Sequence, residues 1–184
     1  MKPLALLLPL LLAGCITSPS APAKTNELDK AGRDAFLEAI NLKRDAATSI
    51  TCSTSGGGGF PASQSYAAPS ARVLWNLKLE AAALNNASFL AVNQVNIANG
   101  DPHNDAGNGT VGSRVLSANY SFATAGETIA SGQVNASIVA QDWQTSTNGH
   151  CNLMLEPVMK DVGGALVTSA NGTRYWVMVI GKPQ

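Results

Sequence analysis

Three cysteines, Cys15, Cys52 and Cys151, punctuate the 184-residue chain, and an odd number of thiols cannot all pair within it. The fold can therefore hold at most one internal bridge. The surroundings of the three differ: Cys15 closes an apolar run, whereas Cys52 and Cys151 lie in polar, turn-rich sequence. Apolar residues make up 45% of the chain, which suffices for a core, and the length fits one domain with a short tail. Charged residues are only 13%, about half the usual quarter, so solubility rests largely on uncharged polar side chains. Twelve basic and twelve acidic residues give a formal net charge of zero. That balance lacks the basic footprint a nucleic-acid partner requires, so no nucleic acid is expected.

The first fourteen residues read as a secretory signal peptide: Lys2, an apolar stretch from residue 4 to 12, then the small Ala13 and Gly14. The apolar stretch is about half of the ~20 residues a spanning helix needs, and Pro9 interrupts it. The tetrapeptide Leu12-Ala13-Gly14-Cys15 resembles the lipobox of bacterial lipoproteins. The resemblance implies that Cys15 is lipidated on sulfur, by chains of the palmitate type, and becomes the mature N-terminus. Several acyl chains, at ~0.8 kcal/mol per buried methylene, anchor a protein without a spanning helix. The membrane is thus an expected partner through the N-terminal lipid, and the expected location is the cell envelope outside the cytoplasm. Ile16 in place of Asp after the lipidated cysteine points, by the same resemblance, to the outer membrane if the host is Gram-negative. Residues 15–30, rich in Pro, Ser and Ala at their start, are expected to be the lipidated N-terminus and a flexible tether, leaving 31–184 as the domain.

Within the domain, apolar residues at helical spacing predict an amphipathic helix over 27–47 and a longer one over 72–96, with Trp75 on its apolar stripe. Residues 48–70, with four consecutive glycines and two prolines, read as a long surface loop. Residues 99–110, NGDPHNDAGNGT, are nearly all turn formers and carry His103. A helical turn with Arg114 follows over 111–119, then a brief extended segment over 127–131. Asn135 or Ser137 is positioned to cap a helix through Trp143. Two β-prone runs, 162–168 and 175–180, flank Asn171-Gly172 and predict a terminal hairpin. This order gives an α+β fold, with helices on a small antiparallel sheet.

Only two histidines occur, His103 and His150, both beside turn residues. Imidazole is the commonest metal ligand and proton shuttle, so two converging histidines would form a site. Glu127, flanked by small and apolar residues, reads as a buried acid that needs a partner. The succession Leu74-Trp75-Asn76, His103, Arg114, Gly126-Glu127-Thr128, Trp143 and His150-Cys151-Asn152 resembles the CAP superfamily of cysteine-rich secretory, antigen 5 and pathogenesis-related proteins, in its bacterial secreted form. The resemblance implies a three-layer α-β-α sandwich with a small antiparallel central sheet and a large cleft. It places His103, His150 and Glu127 in that cleft, where the two histidines hold zinc or another divalent metal weakly. Arg114, Trp143 and Asn152 are expected to give structural support.

Two departures from the family pattern matter: Thr128 stands where Asn usually follows the acid, and Ser146 stands in place of a second acid. No complete catalytic set is visible, and no catalytic residue is assigned. The resemblance also implies a disulfide between Cys52 and Cys151, the natural pair in an oxidising compartment if Cys15 carries lipid; two free buried thiols are the alternative. The expected function is binding of an extracytoplasmic protein, lipid or small-molecule ligand through the His-lined cleft. Two further readings stand beside it: a metal-dependent hydrolase of envelope peptides or glycans, and a lipid- or sterol-binding protein.

Overall fold

Asp29 starts the first ordered helix, its carboxylate accepting the Gly32 N–H at 2.8 Å, in a computed structural model that describes residues 25–55, 59–99 and 101–184. The expected signal peptide and the lipidation site Cys15 lie outside the described residues. Helix α1 spans Lys30–Asp45 and buries Phe36, Ile40 and Arg44, residues four apart on one face. Asn76 caps α2, Leu77–Asn93, by accepting from the Lys78 N–H; Leu79, Ala83, Ala87 and Leu90 form its buried stripe. A Thr110–Ser113 capping box opens the short α3, Val111–Ser117. Asn135 caps α4, Ala136–Thr145, and Gly149, with φ of 84°, turns the chain into α5, His150–Leu155.

The central sheet has four strands: β3 Leu74–Trp75, β4 Phe122–Ser131, β5 Asp161–Thr168 and β6 Arg174–Pro183, in the order β3-β5-β6-β4. Strand alternation on β6 divides the core. Trp176, Met178 and Ile180 join Phe36, Ile40, Val139, Trp143 and Met154 on one side, beneath α1, α4 and α5. Tyr175, Val177 and Val179 join Leu79, Ala83, Leu90 and Val115 on the other, beneath α2 and α3. The result is a three-layer α-β-α sandwich. Gly163 and Gly164 of β5 let both helix layers come close: a Cβ at Gly163 would overlap the backbone of Leu79 and Glu80, and one at Gly164 would lie 2.7 Å from the Phe36 ring.

The structure changes several expectations. The sheet is mixed rather than wholly antiparallel, because β3 runs parallel to β5 at one edge. Trp75 lies in β3 and not on α2, since Asn76 starts the helix only after it; its indole donates to Glu80 Oε2 at 2.9 Å. The segment 48–70 holds an antiparallel ribbon, β1 Thr51–Ser53 with β2 Ser63–Ser65, whose short polar strands carry no readable apolar period. The extended segment foreseen at 127–131 is the second half of the ten-residue β4. The folded part begins before residue 31: the Glu27 N–H donates to the Leu166 carbonyl at 2.9 Å and Asn26 Nδ2 to the Gly164 carbonyl at 3.0 Å, so the end of the expected tether docks beside β5. Cys52 and Cys151 form a disulfide, with Cα atoms 5.5 Å apart, that ties β1 to α5.

Candidate functional site

Glu127 sits in the middle of the edge strand β4, paired with Val179 and pointing to the α2–α3 side of the sheet. Its side chain has no solvent exposure. A carboxylate there requires compensation, and three residues supply it. Arg114 Nη2 donates to Oε1 at 3.0 Å and lies 3.2 Å from Oε2; Asn86 Nδ2 donates to Oε1 at 2.9 Å; His103 Nδ1 lies 3.0 Å from the same oxygen. Arg114, itself 4% exposed at its side chain, also donates to the carbonyls of His103, Asn108 and Gly109. One guanidinium therefore neutralises the acid and fixes the turn-rich loop that carries His103.

Asn86 was not foreseen as part of the site. It donates to the Pro102 carbonyl as well as to Glu127, and its Oδ1 accepts from Asn108 Nδ2 at 2.8 Å, so both ends of the His103 loop hang from one α2 side chain. A signal was present in the sequence: Asn86 falls between Ala82 and Leu90 on the buried stripe of α2, where an amide needs polar partners.

His150 enters from the opposite side, at the first position of α5 and next to the disulfide. The two imidazole centroids are 6.4 Å apart with planes at 64°. Burial, followed by the neighbouring His103, pushes the His150 pKa down to about 4, so the ring is neutral at physiological pH. Glu127 can only accept, so the hydrogen between them sits on His103 Nδ1, and Nε2 is turned away from the acid.

The histidines stand between two hollows. One, of about 530 Å³, runs from them along residues 124–127 of β4 to Leu153, Glu156 and Met159, with Phe60 on its rim. The other, of about 560 Å³, is bounded by Ile97, Asp101, Pro102 and Ile129. Both volumes lie in the range of small-ligand sites. Asn148, also not foreseen, lines both.

The structure thus brings together His103, His150, Glu127 and Arg114. It places Trp143 in the core, 1% exposed, with its indole donating to the Ile129 carbonyl at 3.3 Å. Asn152 is fully buried behind His150, donating to Gln64 Oε1 at 2.8 Å. Thr128 is buried and its hydroxyl has no partner among the described residues, a local cost of the residue that stands in place of Asn. Ser146 ends α4 and accepts the Asn148 N–H, and Asp105 accepts the Gly107 N–H within its own loop; neither lines the hollows. Among the described residues no group of three or more His, Cys, Asp and Glu side chains is arranged to hold a metal ion, and no helix is long and apolar enough to cross a membrane.

The three-layer fold, with helices on both faces of a small sheet, is shared with known proteins. Residues 37–180 match the cysteine-rich secretory protein family, CAP, and the chain belongs to it. An outer surface protein of Borrelia burgdorferi is similar in structure, with a TM-score of 0.61 at 17% identity over 88% of this chain and 99% of that one. An extracellular protein of Bacillus anthracis containing an SCP domain has a TM-score of 0.60 at 16% identity over 90% of this chain but 45% of its own length. The protein NaASP2, solved with Zn2+, has a TM-score of 0.51 at 16% identity over 85% of each chain. No match was found among curated proteins.

Proposed function

We propose that this chain is an extracytoplasmic, membrane-anchored CAP-domain lipoprotein that binds a ligand or partner through its His-lined cleft, with a divalent ion held between His103 and His150. The observation that carries this reading is the ordering of His103: Glu127 accepts from Nδ1 and leaves Nε2 as the nitrogen that a metal ion would use. A carboxylate behind a histidine is the outer-shell pattern that orients imidazole for metal binding. His150, kept neutral by burial, supplies a second lone pair. Glu127 itself does not fit as a ligand, because Arg114, Asn86 and His103 occupy its oxygens. The donor set suits a two-imidazole ion completed by water, more weakly held than a site with three protein ligands. Such an ion would act as a Lewis acid toward an oxygen of the bound molecule. The zinc in NaASP2 supports the metal part of this reading, and the surface location of the Borrelia protein supports the envelope part. Binding is favoured over hydrolysis because Ser146 and Asp105, the residues available as nucleophile and base, are engaged elsewhere.

Calorimetric titration with Zn2+ near neutral pH tests the site. We expect one ion per chain, loss of binding in the His103→Ala/His150→Ala double variant, and about 10- to 100-fold weaker binding in Glu127→Gln. Unchanged affinity in the double variant would overturn the metal assignment. Cys15→Ser, which should move the protein from the membrane to the soluble fraction, tests the anchor separately.

A further inference from the structure

We infer that the cleft takes an extended, uncharged polypeptide segment, which adds to the sheet as a strand alongside β4. This deepens the proposed function and rests on its reading of the cleft as a binding site. Among the described residues, strand β4 is an outer strand of the four, paired only with β6. Its two halves differ. At one end the Trp143 indole covers the outer edge by donating to the Ile129 carbonyl. That bond also shows which way the strand faces: the peptide groups of Ile129 point away from β6. In an unbroken antiparallel register this orientation repeats every second residue, and the register is continuous from Thr124 to Ser131. The N–H and C=O of Ala125 and Glu127 therefore point outward as well, into the cleft.

Two further observations place this edge within reach. Four consecutive residues, Thr124, Ala125, Gly126 and Glu127, line the cleft. A hollow over one face of a sheet meets alternate residues; one that meets four in a row follows the edge. The Glu127 side chain has no exposure while the residue keeps 7%, so its accessible surface is backbone. Natural sheets commonly guard an open edge with Lys, Pro or a covering element. The segment Phe122-Ala123-Thr124-Ala125-Gly126 has no charge and no proline.

The geometry selects the occupant. Ala125 and Glu127 present donor and acceptor pairs about 6.8 Å apart, a repeat that an extended polypeptide backbone matches and a lipid chain does not. Charge in the groove is partly offset: Glu127 is paired with Arg114, and Glu156 interacts electrostatically with the buried Arg44, which donates to its backbone carbonyl. Phe60, Leu153, Val158 and Met159 offer apolar contact for alternate side chains of the incoming strand.

The test is hydrogen exchange at residues 125–127 of the full chain in detergent, with an acetylated and amidated peptide of alternating valine and threonine at about 1 mM as probe. We expect the peptide to slow exchange at Ala125 and Glu127 by about 10-fold. The same peptide N-methylated on the residues that face β4 should give no protection, because its donors are blocked while its side chains are kept. Ala125→Pro, which removes an outward N–H and leaves the β6 ladder intact, should abolish the effect as well. No protection by the unmodified peptide, or equal protection by the methylated one, would overturn the inference. Each measurement is made with and without Zn2+: protection without zinc binding supports the strand and defeats the metal reading, whereas zinc binding without protection defeats the strand alone.

Discussion

The two walls of the cleft present the same imidazole by different means. His103 lies on a loop without regular structure, and polar contacts hold it: Arg114 to three loop carbonyls, Asn86 to two loop residues, and Glu127 to the ring. His150 lies on a helix, and covalent and apolar contacts hold it: Cys151 is bonded to Cys52, and Met154 and Leu155 are fully buried. Arg44 reinforces that wall by donating to the carbonyls of Met154, Glu156 and Met159. A wall built on one buried ion pair depends on a few atoms. A wall built on packing and a disulfide spreads the same task over many.

The largest expected effect follows from that contrast. Arg114→Ala leaves the buried Glu127 carboxyl without its counter-ion and should cost ~3–5 kcal/mol in urea unfolding. Arg114→Lys should recover only part, because an ammonium cannot reproduce the forked contacts to the acid and the loop carbonyls. A loss below about 1 kcal/mol for Arg114→Ala would show that the His103 wall does not depend on this pair.

Removing the bridge with Cys52→Ala/Cys151→Ala should cost ~2–4 kcal/mol, since the disulfide joins residues 99 apart in sequence. The comparison is sharpened by where the loss appears. Hydrogen exchange should quicken across 148–155 and stay unchanged across 101–110, because no covalent link supports the His103 loop. Equal loosening of both segments would mean that the walls form one unit.

The residues that meet at the candidate cleft were easier to single out in the sequence than the details of the layers around them. His103, Glu127, His150 and the cysteine pair were legible because each stands in a short motif, and the motifs come in a fixed order. Asn86 and Arg44 were legible only as exceptions: each occupies an apolar stripe at a four-residue spacing, Ala82-Asn86-Leu90 and Phe36-Ile40-Arg44, and an exception does not name its partner. The polar β1–β2 ribbon is held by strand pairing and the disulfide, neither of which leaves a period in the residues. Glu80 shows why burial of an acid does not identify a site. It too is bonded to an arginine, Arg33 at 2.7 Å, and to an asparagine, Asn26 at 3.1 Å. Its third partner is the Trp75 indole, which donates one hydrogen and has nothing left to offer. The third partner of Glu127 is an imidazole with a second nitrogen.

The smallest expected effect separates the walls by pH. Burial lowers the His150 pKa from 6.5 in the unfolded chain to about 4 in the native one. Between those values the unfolded chain binds a proton that the native protein does not, so stability falls as pH drops from 6.5 toward 4; above 6.5 this group contributes no slope. His150→Gln should flatten that segment of the urea midpoint against pH. NMR titration of the His150 ring should give a midpoint near 4, and a midpoint near 6.5 would show that the ring is solvated and that its wall is looser than its packing implies. His103→Gln should shift the His150 midpoint slightly upward, since His103 is the lesser of the two causes of its depression. A shift back to 6.5 in that variant would reverse the order of causes: the neighbouring ring, and not the packed wall, would then keep His150 neutral.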